Sequence, residues 1–339
     1  MRHHIVVDLE RSQDDGDLES RLRAIGLDFN FVYAPNTAWR ETEWSRWTQV
    51  LPGYLRAARQ ALKGMGQHDH LIFLTAGLAI TAAMLRSFSP AAAPQISIIN
   101  FIYRRRFWPV GSVLDLFVKR ALDNFTFIGV PSHKAAEEYR FRFSKAGSRI
   151  RLFPTWCGFP EEPSAATAPP VAVFSGGHSM RDYETLLKAL RRLNVSARIV
   201  TNRTAVNSLE IPANVTPYAN VPENTFAALM MSAAIVAVPL LPASFDAGQS
   251  VALQAMCYGK PVIATNTAGL AEYIDHGKTG ILVPPSDPEA MAAAIKRLLD
   301  DSALALSLSR EARRAYLERY SRDAFVKRIA STFCENTRG

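Results

Sequence analysis

The sequence predicts an α/β protein with two doubly wound, Rossmann-like domains, each a mostly parallel sheet covered by helices on both faces. Short apolar runs alternate with amphipathic stretches along the chain, and strands separated by helices indicate parallel sheets. The alternation stops once, in a proline- and alanine-rich segment near the middle, and then restarts. The length of 339 residues suits two domains, and 48 % hydrophobic content excludes a disordered chain.

The first half contains apolar runs that predict buried strands, separated by helical patterns. DLESRLRAIG (17–26) predicts a helix that ends at a glycine. PGYLRAARQALKGMG predicts another helix, with Gly64 or Gly66 as its stop. The strand candidates are HIVVDL, DFNFVYA, HLIFLTA, QISIIN, FTFIGV and IRLFP.

Composition sets the expected domain limits. A first domain spans residues 1–158, and the aperiodic segment FPEEPSAATAPP marks a linker over 159–170. A second domain follows over 171–320, and a helix over 321–339 is expected to pack back on the first domain. Ligands of such sheets bind at the carboxyl ends of the strands, so we expect the two sets of strand ends to face a cleft.

Helix starts in the second half carry capping signals. Ser179 and Asp182 lie three residues apart at the start of SMRDYETLLKALRRL, an arrangement close to a capping box. SDPEAMAAAIKRLLDD predicts a helix capped by Ser286 or Asp287, with Pro288 in its first turn. A basic pair of helices over 302–333 is predicted to close the fold.

Cysteine use and hydropathy favour a cytoplasmic protein. The 3 cysteines form no CxxC pair, which argues against a disulfide framework or a zinc site. The N-terminus turns acidic after a few apolar residues, unlike a signal peptide. The longest apolar stretch, 226–243, is interrupted by Ser232 and Pro239 and predicts a helix followed by a buried strand.

The net charge of +8 is concentrated in one segment. Residues 1–85 hold 9 basic and 10 acidic side chains, residues 86–158 hold 12 and 4, and residues 159–339 hold 18 and 17. The middle segment therefore carries a surplus of 8 positive charges, from 12 minus 4. Because exposed charges act over about 8–10 Å, this local surplus predicts an anionic partner near residues 86–158.

The segment 245–285 has the strongest chemical pattern. A loop with Asp246 and Gly248 precedes a predicted helix starting near Ser250, and a second loop carries Gly269. Free amides and about half a positive charge at a helix N-terminus suit a diphosphate. Gln254 lies eight residues after Asp246, so both side chains can reach one ligand and bind sugar and ribose hydroxyls. The alternative is a helix that merely packs on its sheet.

This segment resembles the donor site of retaining, GT-B-fold family 4 glycosyltransferases. Their pattern has two glutamates that are separated by seven residues. A run like AMCYGKPVIAT (255–265) follows the second glutamate. The resemblance implies a nucleotide diphosphate sugar as donor substrate, with no metal or other cofactor. It implies that Asp246 contacts the transferred sugar and Gln254 the ribose, although both replace glutamates. The amides of Gln249, Ser250 and Val251 would hold the phosphate and sugar, beside Gly248.

A glycine loop at 174–187 supplies the second element. Gly176 and Gly177 let a backbone approach a ligand, and Arg181 can neutralise a leaving diphosphate bidentately. In the resembling family an arginine and a lysine clamp the phosphates. Arg181 matches the lysine, whereas Gly177 or His178 stands at the other position. A solvated arginine on a helix is the competing interpretation.

Further matches are weaker. Tyr218 to Val221 resembles the family turn that cradles the nucleotide base. On the acceptor side Thr75, Gly77 and Asn100 end predicted strands near the expected cleft. The histidine and the glycine-rich first loop that many relatives carry are replaced by other residues. Retaining transfer needs no protein nucleophile, because positioning and electrostatic stabilisation can carry much of the barrier.

The segment 103–122 predicts contact with an anionic membrane at the inner face of the plasma membrane. Its basic and aromatic residues precede an amphipathic helical pattern, as in monotopic membrane contacts. An ordinary core helix beside a solvated arginine cluster is the alternative, and no nucleic-acid-binding module accompanies the charge. The predicted membrane-contact residues are Arg104, Arg105, Arg106, Phe107 and Trp108.

Two metal-like patterns are interpreted otherwise. Asp15-Gly16-Asp17 resembles an Asp-x-Asp motif but lies in an acidic run expected to be a solvated loop, and 68–70 predicts a polar turn before a strand.

The leading hypothesis is transfer of a sugar from a nucleotide diphosphate donor to a lipid-linked or other glycan acceptor. A catalytically silent relative that binds nucleotide sugar or membrane is the alternative. A nicotinamide-dependent oxidoreductase is disfavoured, since no GxGxxG follows the first strand.

Overall fold

The computed structural model describes residues 1–7, 13–34, 47–87, 93–103, 110–156, 168–242 and 246–334. These residues form two compact units. Unit 1 comprises Met1–Thr155 with Ile329–Gly339, and unit 2 comprises Trp156–Arg328. The division between the units therefore falls at residues 155/156 and 328/329, whereas the sequence suggested a linker over 159–170 and a boundary at 320/321.

Unit 1 contains one parallel sheet with the strand order β2-β1-β3-β4-β5-β6. All the strand candidates of the first half are present. The strands are β1 (Arg2–Val7), β2 (Asn30–Tyr33), β3 (Asp69–Phe73), β4 (Gln95–Ile98), β5 (Phe125–Val130) and β6 (Ile150–Leu152). The helices are α1 (Gln13–Ala24), α2 (Trp47–Leu62), α3 (Ala76–Arg86), α4 (Val110–Leu122) and α5 (His133–Arg142).

Unit 2 contains a second parallel sheet, ordered β12-β11-β10-β7-β8-β9. Its strands are β7 (Val171–Gly176), β8 (Ala197–Thr201), β9 (Val215–Ala219), β10 (Ala233–Val238), β11 (Val262–Thr265) and β12 (Ile281–Val283). Its helices are α6 (Tyr183–Leu193), α7 (Arg203–Asn207), α8 (Glu223–Met231), α9 (Gln249–Cys257), α10 (Pro288–Asp300) and α11 (Ser302–Arg319); α12 (Arg322–Phe333) runs across the division between the units.

The core explains why the strands of unit 2 are apolar along their whole length. Val173 and Phe174 are consecutive residues of β7, but they belong to clusters on opposite faces of the sheet. Ile235 and Val236 of β10 divide between the same two clusters. A strand buried on both faces needs a continuous apolar run instead of alternation, as the sequence shows.

Strand order locates the ligand-binding position in each sheet. In unit 2 the order is that of a dinucleotide-binding sheet, and it reverses between β7 and β10, which are neighbours. In unit 1 the reversal lies between β1 and β3. Helices on opposite faces leave a crevice at each reversal, outside the carboxyl ends of the strands.

Several local predictions need correction. The predicted helix SMRDYETLLKALRRL begins only at Tyr183, because Met180 adopts a positive φ of 54°. Asp182, and not Ser179, caps it by accepting from the Thr185 amide at 3.0 Å. Asp287 caps α10. Asp15-Gly16-Asp17 belongs to helix α1 instead of a loop.

Candidate functional site

The end of β7 and the end of β10 are joined by backbone contacts at the reversal of unit 2. Arg181 and Leu240 form an isolated antiparallel bridge. The Leu241 amide donates to the Met180 carbonyl at 2.9 Å, and the Asp182 amide donates to the Pro239 carbonyl at 3.2 Å. The glycine loop after β7 is therefore held against the segment that leads from β10 toward α9.

Both glycines of this loop are required by the protein's own side chains. Gly177 has a φ of +100°, and a Cβ there would lie 2.5 Å from Nη2 of Arg181. A Cβ on Gly176 would lie 2.4 Å from Cζ of Phe226. Glycine at these positions thus lets the Arg181 guanidinium and the Phe226 ring pack on the loop, a different reason from the ligand approach inferred from the sequence.

Arg181 is partly buried and precedes the first residue of α6, so the interpretation as a solvated arginine on a helix is wrong. Its Nε donates to the Gly176 carbonyl at 2.7 Å, and its Nη1 donates to the Ser179 carbonyl at 2.9 Å. Burial lowers the pKa of Arg181 from its usual value, and the nearby Tyr183 phenol opposes this shift. The guanidinium stays charged at neutral pH, since arginine is not deprotonated in proteins. Among the described residues Nη2 has no acceptor, which leaves donors for an anion.

Helix α9 begins at the same reversal with an open N-terminus. Its N-cap is Gly248, in the left-handed region with a φ of +88°, so no side chain caps the helix. The first intrahelical bond is donated by the Ala252 amide to the Gly248 carbonyl at 3.1 Å. The amides of Gln249, Ser250 and Val251 therefore precede the hydrogen-bonded turns. Together with the helix dipole they form an anion-binding position.

Asp246 and the side chain of Gln249 lie together over Gly269. A Cβ on Gly269 would lie 2.2 Å from Oδ1 of Asp246 and 3.2 Å from Nε2 of Gln249. Asp246 is 9 % exposed and Gln249 is 6 % exposed. Nε2 of Gln249 is buried and has no hydrogen-bond partner in the described part of the chain. The sequence pointed to the backbone amide of Gln249, and its side chain is an addition that no motif indicated.

Gln254 is the second buried amide with an unused atom. It is fully buried on α9, and Nε2 donates to the Tyr258 hydroxyl at 3.3 Å. Oε1 has no partner among the residues that the structure describes. Leaving a buried polar atom unpaired costs about 1–3 kcal/mol, so two such amides on one helix mark a position where a polar ligand would complete the bonding.

Val221 lies just beyond strand β9. Tyr218, Val221 and Phe226 are partly buried and pack on the core cluster that includes α9. Asn220, with a φ of 53°, turns the chain, and its amide donates to the Thr201 carbonyl at 3.0 Å. The predicted turn at Tyr218 to Val221 therefore begins within β9, and only Asn220 and Val221 follow the carboxyl end of that strand.

The acceptor-side residues lie at the carboxyl edge of the sheet in unit 1. Thr75 is the N-cap of α3, and Asn100 follows β4. Oδ1 of Asn100 is buried without a described partner. A Cβ on Gly77 would lie 2.5 Å from Cζ of Tyr54, so the tyrosine ring fills the space beside this glycine.

The predicted membrane-contact residues Arg104, Arg105, Arg106, Phe107 and Trp108 lie outside the described residues. Helix α4, which follows them, leaves Leu116 68 % exposed and Phe117 50 % exposed. None of the described helices combines the length and the apolar composition needed to cross a bilayer.

Among the side chains that the structure describes, no group of three from His, Cys, Asp or Glu is placed to hold a metal ion. Asp69 and His70 begin β3 and are buried, contrary to the predicted polar turn. Burial by itself raises the pKa of Asp69, but hydrogen bonds from the Gly66 amide, His4 and Arg2 outweigh it and lower this pKa to about 2. His70 bonds to Ser97 at 2.8 Å.

Comparison with known proteins connects unit 2 to sugar transfer. The family model described as "Glycosyl transferases group 1" matches residues 169–301. Glycogen synthase of Mycobacterium tuberculosis is 31 % identical over 100 residues, which cover 30 % of this chain and 24 % of the synthase. Such matches span between 9 and 27 % of the length of the curated relatives.

Solved structures resemble the whole chain. Sucrose-phosphate synthase from Thermosynechococcus elongatus has a TM-score of 0.69 at 17 % identity, with full coverage of both chains (100 % each). HepE from Anabaena, solved in complex with UDP and glucose, has a TM-score of 0.66 at 15 % identity and covers 99 % of this chain and 100 % of its own. The two parallel-sheet α/β domains are therefore those of the GT-B fold.

Proposed function

We propose that this protein transfers a sugar from a nucleotide diphosphate sugar to a glycan acceptor, with retention of configuration, in the manner of family 4 glycosyltransferases. One observation carries the proposal. At the strand reversal of unit 2, the open N-terminus of α9 adjoins the Arg181 loop, and two buried amide side chains on α9 lack described partners. These groups suit a ligand that is both anionic and rich in hydroxyls.

The diphosphate would bind at the start of α9. The amides of Gln249, Ser250 and Val251 would donate to phosphate oxygens, and the helix dipole would favour their negative charge. Negative charge grows on the nucleotide diphosphate as the bond to the sugar breaks. Preorganised donors in a buried position stabilise such developing charge at no cost of reorganisation. Arg181 would add a fixed positive charge beside them, and no metal ion is needed in this scheme.

The sugar and the ribose would meet different polar groups. Asp246 would accept a hydrogen bond from a sugar hydroxyl, and Nε2 of Gln249 would donate to one. Oε1 of Gln254 would accept from a ribose hydroxyl. The turn at Tyr218 to Val221 would hold the base, and Gly176 and Gly177 would keep Arg181 in place.

The acceptor would bind in unit 1, where Thr75, Gly77 and Asn100 lie at the carboxyl edge of the sheet. A retaining transfer can proceed through positioning and stabilisation of the leaving group, without a protein nucleophile. The basic surplus of residues 86–158 supports a lipid-linked acceptor and peripheral association with the inner face of the plasma membrane, with Arg104–Trp108 in contact with lipid.

A donor panel tests the proposal. UDP-glucose is the first donor to try, because HepE was solved with UDP and glucose. We expect release of nucleotide diphosphate by the wild type and a fall of about 10²–10³-fold in Arg181→Ala, the loss typical of removing one preorganised donor. Arg297→Ala, which removes an exposed arginine from α10, is the matched control and should keep full activity. If the wild type releases nucleotide diphosphate from no donor in the panel, the proposed transferase activity is wrong.

A catalytically silent relative is the second candidate, because Asp246 and Gln254 stand where the resembling family has glutamates. Thermal unfolding and turnover, measured on one protein preparation, distinguish the silent relative from the active transferase. Protection against thermal unfolding by UDP, with no turnover of any nucleotide sugar, would identify the silent form. Protection by NAD and not by UDP would contradict both candidates.

A further inference from the structure

A band of basic side chains lies at the amino edge of the sheet in unit 1. Three cavities of about 350, 420 and 270 Å³ open along it. Their lining residues include seven basic side chains and one acidic side chain, Asp123. We name this surface the basic edge; its basic residues are Arg86, Lys119, Arg120, Arg142, Lys145, Arg149 and Arg151.

Most of this charge is not neutralised. Arg142 pairs with Asp115, and Nη2 of Arg149 is 3.8 Å from Asp123. Lys119, Arg120 and Lys145 are exposed, and their side chains form no ion pair with any described residue. These three side chains all line the 350 Å³ cavity and are therefore available to an anion.

One exposed apolar side chain lines the same cavity, and two more directly adjoin its lining residues in the sequence. Leu116 lines it and is 68 % exposed, and its neighbour Phe117 is 50 % exposed. Phe141 directly precedes Arg142, which also lines the cavity, and is 92 % exposed. A leucine and two phenylalanines that stay in water lose the favourable free energy of burying apolar surface. Their position next to uncompensated positive charge indicates a partner that is apolar and anionic at once.

The basic edge is separate from the proposed acceptor position. Helices of a parallel α/β sheet run opposite to the strands, so the C-terminal ends of α4 and α5 lie at the amino ends of β5 and β6. Thr75 and Asn100 lie at the other edge, where the strands end. Arg149 fixes the geometry of the basic edge by donating to the Phe125 carbonyl at 2.9 Å, at the first residue of β5.

We propose that the basic edge binds the phosphate headgroups of anionic phospholipids, with Leu116, Phe117 and Phe141 inserted at the boundary of the acyl chains. The inference deepens the peripheral membrane association proposed above and rests on it. Helix α4 would lie along the bilayer surface, as amphipathic helices do, with Lys119 and Arg120 at the headgroups. A nucleic acid would use the same charge but would leave the three apolar side chains in water, so lipid fits the surface better.

Vesicle flotation tests the surface. The full chain should bind phosphatidylcholine vesicles that contain phosphatidylglycerol and should not bind phosphatidylcholine alone. The triple variant Lys119→Ala, Arg120→Ala, Lys145→Ala should bind the anionic vesicles about 10²-fold more weakly, about fivefold for each charge near the surface. Raising the salt concentration should weaken wild-type binding, because these charges are exposed. Leu116→Ser with Phe141→Ser should reduce binding by at least about 10²-fold while keeping every charge.

The matched control removes the same charge from exposed positions in unit 2, with Lys278→Ala, Arg297→Ala and Arg310→Ala, and should bind like the wild type. Equal binding by the basic-edge triple variant and this control would overturn the proposal. So would binding of single-stranded RNA by a wild type that ignores anionic vesicles. Release of nucleotide from a water-soluble donor, measured without vesicles, reports separately on the proposed transferase, and the basic-edge variants should leave it unchanged.

Discussion

Helices α9 and α3 begin at corresponding places, each after a strand at the reversal of its own sheet, yet their first turns differ. Neither has a capping hydrogen bond from its N-cap side chain. At α9 the N-cap is Gly248, and Nε2 of the buried Gln249 side chain donates to no described acceptor. At α3 the N-cap is Thr75, and the Tyr54 ring covers Gly77 in the first turn.

The difference shows that the fold supplies a location and the side chains decide what can bind there. The crevice of unit 2 combines free amides, a fixed arginine and unsatisfied amides, which suits a phosphate and a sugar. The corresponding place in unit 1 has a tyrosine packed into it and a hydroxyl and an amide at its border, which suits a neutral acceptor. Four experiments test this contrast.

The largest effect is expected from Gly269→Ala. The new Cβ would lie 2.2 Å from Oδ1 of Asp246, so the carboxylate must move and the Gln249 amide with it. Losing these two contacts costs about 3 kcal/mol, or about 10²-fold in kcat/KM for the donor. Gly147→Ala in unit 1 is the control, since its Cβ would meet the nearest atom at an ordinary 3.7 Å. Unchanged donor kinetics in Gly269→Ala would remove Asp246 from the donor site.

Lowering the pH should reduce the free energy of unfolding of unit 1 before that of unit 2. Burial, followed by the charges of His3 and His4, lowers the pKa of His70 to about 4 from 6.5. The pKa of His3 is lowered as well, chiefly by burial. Between about pH 6.5 and about pH 4, His70 binds a proton in the unfolded chain but not in the folded chain. The free energy of unfolding therefore falls as the pH drops through this range. The loss at His70 should be on the order of 3 kcal/mol.

Urea unfolding monitored by hydrogen exchange would measure this loss for each unit. His70 also touches the Phe333 ring of α12 and bonds to Ser97, so His70→Gln keeps a polar partner while removing the titration. This variant should show a flatter pH dependence in unit 1, and the exposed His133→Gln should behave as the wild type. Equal acid sensitivity of the two units would contradict the prediction.

A smaller effect, with opposite signs on stability and binding, is expected from Gln254→Leu. Removing a buried oxygen without a described partner should leave the free energy of unfolding unchanged or raise it by up to about 1 kcal/mol. Affinity for UDP should fall about tenfold, which corresponds to about 1.4 kcal/mol. Calorimetric titration with UDP and urea unfolding measure the two quantities. A Gln254→Leu protein that binds UDP normally would exclude this side chain from the nucleotide site.

The smallest change in donor binding is expected from unit 1. Asn100→Ala and Thr75→Val should alter the affinity for UDP by no more than about twofold, because both residues lie at the edge of the other sheet. Their effect should fall on the KM for the acceptor once one is found. A tenfold loss of UDP affinity in either variant would show that the two crevices are not specialised as inferred.

Residues with strong local signals were predictable. The apolar run of β10 and the Asp287-Pro288 start of α10 carry their own signals, so sequence located both elements. Strand β9 was missed because Pro217 interrupts its pattern; an edge strand tolerates this proline, and β9 lies at the end of the sheet. The late start of α6 also escaped prediction, since it depends on the bridge between Arg181 and Leu240, residues far apart in the chain.

The alternation of strands and helices, the division into two domains and the motif around Asp246 and Gln254 follow from the sequence, because hydrophobic periodicity and short spacings are local properties. Three-dimensional packing was needed to show that Arg181 packs on Gly177, that Gln249 keeps a buried donor beside Gly269, and that Lys119 and Lys145 border one cavity. Each of these depends on which strands are neighbours in a sheet. That choice is made by packing over long sequence separations, which no short pattern encodes.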